Sequence, residues 1–240
     1  MVAPPLRYPV PWREVAGLWR PIVFHQRCNL REFTASVVAH MDPHPLCFGL
    51  EHLPPSPRFL VVANHFQRKG LWILHPASAI SDVLARHYAG LQPPTRWIVT
   101  ANWPRWRLGP IQIPSPGDIL LPRVAHALWC YAVPFAGTDP RRTARAFREL
   151  LRDASHGAVP LGVFPEGVAG TAGRITEPLP GVDRLISLLA KADYPVIPVG
   201  IAEAGRFILR FGEAIPPRDL LSAPNSAALA LERVRRLATP

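Results

Sequence analysis

Short runs of consecutive large apolar residues recur along the chain. They are Arg58-Phe-Leu-Val-Val-Ala63, Trp97-Ile-Val-Thr-Ala101, Leu161-Gly-Val-Phe164, Val196-Ile-Pro-Val-Gly200 and Phe207-Ile-Leu-Arg-Phe211. Each is too short for a core helix and lacks polar alternation, so each reads as a strand covered on both faces. Between and after them apolar positions fall at helical spacing, at about Leu71–Tyr88, Arg141–Ala154, Val182–Ala192 and Ser226–Leu237. Strands alternating with helices predict an α/β fold, a mostly parallel sheet flanked by helices on both faces. Ahead of this pattern, Trp12, Val15, Leu18, Trp19, Ile22, Val23 and Phe24 are spaced for a helix that breaks near Pro21. The chain therefore divides into an N-terminal helical segment over residues 1–45, packed on the domain or on a membrane surface, and one α/β domain over 46–240. There is no internal repeat.

Composition sharpens this picture. The 240 residues are 48% hydrophobic and 18% charged, a balance that folds a core rather than staying disordered. Thirty prolines against 16 glycines, scattered along the chain, imply many rigid turns. Lys and Arg number 27 against 17 Asp and Glu, a net charge of +10, which favours an anionic partner. Arginines interleave with tryptophans in Arg96-Trp97 and Trp103-Pro-Arg-Trp-Arg107. That pairing suits a headgroup layer, so the expected partner is an anionic membrane surface. Nucleic acid rests on charge alone and is not expected.

No stretch reaches the ~20 apolar residues of a spanning helix. The nearest, Ile119 to Phe135, carries Arg123 and His126 and is broken by Pro122 and Pro134. The amino terminus has no apolar run of a signal peptide. The expected location is cytoplasmic, peripheral on the inner face of the cell membrane. Cys28, Cys47 and Cys130 show no CxxC spacing and read as reduced thiols.

In a parallel sheet the ligand crevice lies beyond the carboxyl ends of the strands. Asn64 and His65 follow the first apolar run, and Pro165, Glu166 and Gly167 follow the third. A histidine and a glutamate leaving neighbouring strand ends can face one crevice, as base and as polar anchor. His40-Met-Asp42-Pro-His44 looks like a metal cluster but sits in a proline-rich loop, and no metal site is expected. His75, one turn from Trp72, reads as packing. GxSxG, SxxK and GxGxxG are absent, which removes serine-hydrolase and dinucleotide readings.

Over about residues 47 to 220 these pieces resemble, in order, the 1-acylglycerol-3-phosphate acyltransferases and the wider phospholipid/glycerol acyltransferase family. Phe48-Gly-Leu-Glu-His-Leu-Pro-Pro55 resembles the family's lead-in, and Phe59-Leu-Val-Val-Ala-Asn-His65 the strand carrying its catalytic histidine. Phe164-Pro-Glu-Gly167 resembles the acceptor-binding block and Gly181-Val-Asp-Arg-Leu185 the helix start after it. Val196-Ile-Pro-Val-Gly200 resembles the fourth block, and Phe211-Gly-Glu213 the short strand that follows.

The resemblance implies direct transfer of a fatty acyl group from acyl-CoA or acyl carrier protein to a lysophospholipid or related hydroxyl acceptor, without cofactor or metal. His65 would be the general base. Glu166 and Gly167 would hold the acceptor, beside Asn64 and Pro165, with the Gly167 N–H suited to an anionic oxygen. Arg141 and Arg142, after Val133-Pro-Phe-Ala-Gly-Thr-Asp-Pro, stand near the family's phosphate-binding arginine, and Arg68 and Lys69 lie within the first block.

One position departs. The family's His-x-x-x-x-Asp places Gly70 where the aspartate belongs. That aspartate orients the imidazole and raises its basicity. By chain order, Asp82 and Asp139 are the candidates to replace it. The departure also opens an alternative, a catalytically impaired protein that binds lipid or acyl chains.

Overall fold

A computed structural model of the chain describes residues 8–91, 93–100, 106–108, 111–113, 116–133, 140–157, 159–167 and 175–239. The first half runs α1 (Trp12–Gly17), α2 (Trp19–Val23), α3 (Leu30–Ala39), β1 (Leu46–Phe48), β2 (Leu60–Ala63), α4 (Leu74–His87) and β3 (Arg96–Thr100). A small hairpin of β4 (Trp106–Leu108) and β5 (Ile111–Ile113) leads to α5 (Pro116–Ala127) and β6 (Tyr131–Val133). Then come α6 (Pro140–His156), β7 (Leu161–Val163), α7 (Val182–Lys191), β8 (Val196–Glu203), β9 (Phe207–Phe211), α8 (Pro217–Ser222) and α9 (Ser226–Leu237).

Seven strands form one sheet in the order β1-β9-β8-β2-β7-β3-β6. Its pairings are parallel except β8 with β9, a hairpin turning through Ala204-Gly205-Arg206. β2 lies between β8 and β7, with Leu60 opposite both Val196 and Leu161. All four of its residues are buried, which explains an apolar run without alternation. Leu60 and Val62 join Leu150, Leu185, Ile186, Leu231 and Val234 from α6, α7 and α9. Phe59, Val61 and Ala63 join Val38, Ile80 and Leu84 from α3 and α4. Two cores on opposite faces follow from the period of two along a strand.

Several boundaries differ from the sequence reading. The helix expected from Leu71 begins at Leu74, because Arg68 and Leu71 exchange main-chain hydrogen bonds in a turn. Pro21 sits in the first turn of α2, where a missing N–H is tolerated, so the break falls earlier, at Leu18. Pro122 does not end the apolar run in which it lies; it is inside α5.

Arg96-Trp97 is not an interfacial pair. Trp97 is buried with Nε1 donating to Ser81 Oγ at 3.0 Å, and Arg96 Nη1 bonds Asp153 Oδ2 at 2.6 Å. Trp103 and Arg105 lie outside the described residues. The aromatic surface is elsewhere. Leu18 turns inward onto Leu30, Phe33 and Val37, leaving Trp12, Trp19 and Phe24 at 65%, 68% and 66% exposure. Among the described residues no helix is long and apolar enough to cross a membrane.

Candidate functional site

β2 and β7 are adjacent and parallel, with Val62 opposite Val163, so the segments leaving their carboxyl ends emerge side by side. Asn64 comes first and is buried. Its Oδ1 accepts the Ile201 N–H at 2.7 Å and its Nδ2 donates to the Ile201 carbonyl at 3.0 Å. This side chain extends the β2–β8 ladder beyond Ala63 and Val199, and both its polar ends are used in doing so.

The segment after β7 is a tight turn. Pro165 fixes φ at its second position, and the Gly167 N–H closes it on the Phe164 carbonyl at 3.1 Å. Gly167 has φ +66, and a Cβ there would lie 2.0 Å from Leu179 Cδ1, so the position favours glycine. The N–H expected to face an anionic oxygen is therefore the one that holds the turn. Glu166, 2% exposed, is likewise engaged within the protein. Its Oε1 accepts the His65 main-chain N–H at 2.6 Å. Its Oε2 accepts the Thr176 N–H at 2.7 Å and the Thr176 hydroxyl at 3.2 Å.

The His65 ring is half-buried and meets Phe164 edge-on, with centroids 5.6 Å apart. Phe164 stacks on Trp97 at 4.6 Å and 4°. Gly162 makes room for that stack, since a Cβ there would lie 2.6 Å from Trp97 Cε3. Nδ1 of His65 is buried and has no hydrogen-bond partner among the described residues. Burial holds the imidazole below its ordinary range, which keeps it neutral at pH 7. Its own main chain opposes that shift in part but supplies Nδ1 with no hydrogen bond.

Beyond His65 the chain turns back through Lys69 and Gly70. Gly70 has φ +84, and its carbonyl accepts the Tyr8 N–H at 3.1 Å. Arg68 grips Glu203 at the end of β8 with two parallel hydrogen bonds, Nε to Oε2 at 2.5 Å and Nη2 to Oε1. Its Nη1 donates to the Lys69 carbonyl at 2.9 Å. Lys69 itself is exposed.

Asp82 does not stand in for the missing aspartate: its carboxylate pairs with Arg86 Nη2 at 2.6 Å on α4, and His65 Nδ1 stays unpaired. Asp139 lies outside the described residues. Arg141 is exposed on the first turn of α6, which follows β6, three strands from β2. Arg142 is on the same turn, and its side chain is not among those described. His75 is fully buried, its Nδ1 accepting the Trp72 N–H at 3.1 Å. His40 Nδ1 is 2.8 Å from the Ser36 carbonyl of its own helix.

Thr176, Ile201 and Glu203 complete the frame and carry no motif that would single them out. A separate cavity of about 480 Å³ between α3, α4 and β1, lined by Val38, Cys47, Asp82 and Arg86, shares no lining residue with the His65 segment.

A mostly parallel seven-stranded sheet carries a histidine leaving its central strand and a Pro-Glu-Gly turn leaving the next; by comparison with solved structures the α/β fold is of the glycerol-3-phosphate-acyltransferase-like type. Among solved structures the chain is similar to the 1-acyl-sn-glycerophosphate (LPA) acyltransferase PlsC from Thermotoga maritima. The TM-score is 0.60, at 18% sequence identity, over 94% of this chain and 90% of that one. No family model and no curated protein sequence matches the chain.

Proposed function

We propose that this chain is an acyltransferase, moving a fatty acyl group from acyl-CoA or acyl carrier protein to the hydroxyl of a lysophospholipid-type acceptor. The observation that carries this reading is a half-buried His65 at the end of the central strand, its main chain fixed by Glu166, on the fold of an LPA acyltransferase. In the proposed step, His65 removes the acceptor hydroxyl proton as that oxygen attacks the thioester carbonyl carbon. The tetrahedral intermediate collapses, the carbon–sulfur bond breaks, and the departing thiolate takes the proton from the imidazolium. Lys69, Arg141 and Arg142 supply positive charge for the acceptor phosphate. Asn64, Arg68, Pro165, Glu166 and Gly167 act by holding the frame. No metal or cofactor enters this step.

The same reading places the protein peripherally on an anionic surface, the inner face of the cell membrane. Trp12, Trp19, Phe24 and Trp72 are exposed, with Trp12 and Trp72 in edge contact at 6.0 Å. Arg13 and Arg20 are exposed beside them, and the chain carries +10 overall. Aromatic rings with arginines suit the headgroup layer.

A second reading is binding of lipid or acyl chains without turnover, favoured by the unpaired Nδ1 and by Gly70. Thiol release from acyl-CoA and from acyl carrier protein, measured over a panel of lysophospholipids, separates the two. Acceptor-dependent release lost in His65→Ala supports transfer. Saturable lipid binding without release from either donor replaces it with the binding reading.

A further inference from the structure

We infer that His65 rests as the Nε2–H tautomer, with a bare lone pair on Nδ1, so that its ring offers the crevice a hydrogen-bond donor before it can act as a base. A neutral imidazole has one N–H and one lone pair, and the partner of the buried nitrogen decides which sits where. Here Nδ1 is buried and unpaired among the described residues. A buried N–H without an acceptor is the rarer and costlier of the two arrangements.

Among the described residues, the carboxylates of the frame, Glu166 and Glu203, are committed to other groups, as is Asp82 on α4. Glu166 accepts from the His65 main chain and from Thr176, Glu203 holds Arg68, and Asp82 holds Arg86. None of them receives a proton from Nδ1. The position that would supply such an acceptor in the resembling family carries Gly70, which here serves the turn at φ +84.

The catalytic consequence rests on the acyltransferase reading. A base acting through Nε2 needs the proton on Nδ1, where it has no partner among the described residues. At the ordinary cost of an unsatisfied buried donor, the active tautomer is depleted roughly 10- to 100-fold. The missing aspartate thus acts first on which nitrogen is protonated, and through that on rate. Gly70→Asp returns a carboxylate to that position, at a left-handed φ that aspartate adopts more readily than most residues.

Proton–nitrogen correlation spectra of isotope-labelled protein, recorded above the ordinary histidine range, read the tautomer directly. The His65 signals are assigned by their disappearance in His65→Gln. The expected spectrum shows a protonated Nε2 and a bare Nδ1 in the wild type, and the reverse in Gly70→Asp, with thiol release about tenfold faster in the variant. A protonated Nδ1 in the wild type, or an even mixture of tautomers, overturns the inference whether or not the protein transfers acyl groups. An Nε2–H spectrum with no thiol release from either donor, in wild type or variant, leaves the tautomer standing and removes the acyltransferase reading alone.

Discussion

The main-chain N–H of His65 donates to the carboxylate of Glu166 at 2.6 Å, across 101 residues of sequence. A strand end and a turn on the neighbouring strand are locked together by a charge-assisted bond. The imidazole above that bond is aimed by its own backbone and by Phe164. The Pro-Glu-Gly turn therefore works on the histidine from below, whatever it does for a ligand.

Removing that carboxylate is expected to cost stability as well as position. Glu166→Ala leaves the N–H groups of His65 and Thr176 without their acceptor. At the usual values for bonds to a charged acceptor, the loss is about 3 kcal/mol. Glu166→Gln keeps the shape and one acceptor oxygen, and loses less. Urea unfolding measures both, and a change in Glu166→Ala no larger than at an exposed glutamate sinks the argument.

Gly162 tests the aromatic stack. Its added Cβ would meet Trp97 Cε3 at 2.6 Å, and the indole is pinned by Phe164 on one side and by Ser81 at Nε1. With no flexible end to yield, Gly162→Ala is expected to destabilise by about 1–3 kcal/mol and to shift Trp97 fluorescence. An unchanged unfolding midpoint with unchanged emission contradicts it.

Much of this frame was legible in the sequence, for local reasons. β2, β7, β8 and β9 were visible because strands buried on both faces show as unbroken apolar runs. His65 and Glu166 were visible because they follow such runs. The edge strands β1 and β6 were not, since Leu46-Cys-Phe48 is largely exposed and Tyr131-Ala-Val133 lies inside the longer apolar stretch from Ile119 to Phe135. Pairing order was not legible either, because it is set by contacts far apart in sequence. For the same reason the bond from the His65 main chain to Glu166 was not legible, since a main-chain N–H leaves no trace in residue types. Arg96-Trp97 misled because composition reports that Arg and Trp adjoin, not which way they point.

Acid should weaken the fold in the histidine range. Burial holds both His65 and His75 below the ordinary value. In the unfolded chain both protonate near pH ~6.5. Below that pH the unfolded state binds more protons, so stability is complete above it and falls as pH drops toward the folded values. Urea midpoints across this range are expected to decline toward acid, and less steeply in His65→Gln. A flat profile in the wild type rules out the shifts.

The Arg68–Glu203 fork predicts coupling. Two parallel bonds between partly buried groups form the strong geometry for such a pair. Arg68→Ala, Glu203→Ala and the double variant are expected to show a coupling energy of about 1 kcal/mol or more. Additive losses would mean the pair is incidental to the loop.

The aromatic surface separates exposure from type. Trp12 and Trp19 are about two-thirds exposed, whereas Trp97 is 6% exposed in the core. Replacing either of the first two with alanine removes little buried area, so unfolding midpoints should barely move. Trp97→Ala, in contrast, vacates a packed site and should cost about 3–5 kcal/mol. On membranes the order reverses. If α1 and α2 lie in the headgroup layer, Trp12→Ala with Trp19→Ala should weaken binding to anionic vesicles about tenfold at low salt while the fold stays intact. Neutral vesicles should bind less well than anionic ones, because the +10 charge contributes only against anionic lipid. Vesicle pelleting that is equal for the double variant and the wild type would move the membrane contact away from these helices. Pelleting by neither would remove the membrane from the proposed function while leaving the sheet, His65 and their tests untouched.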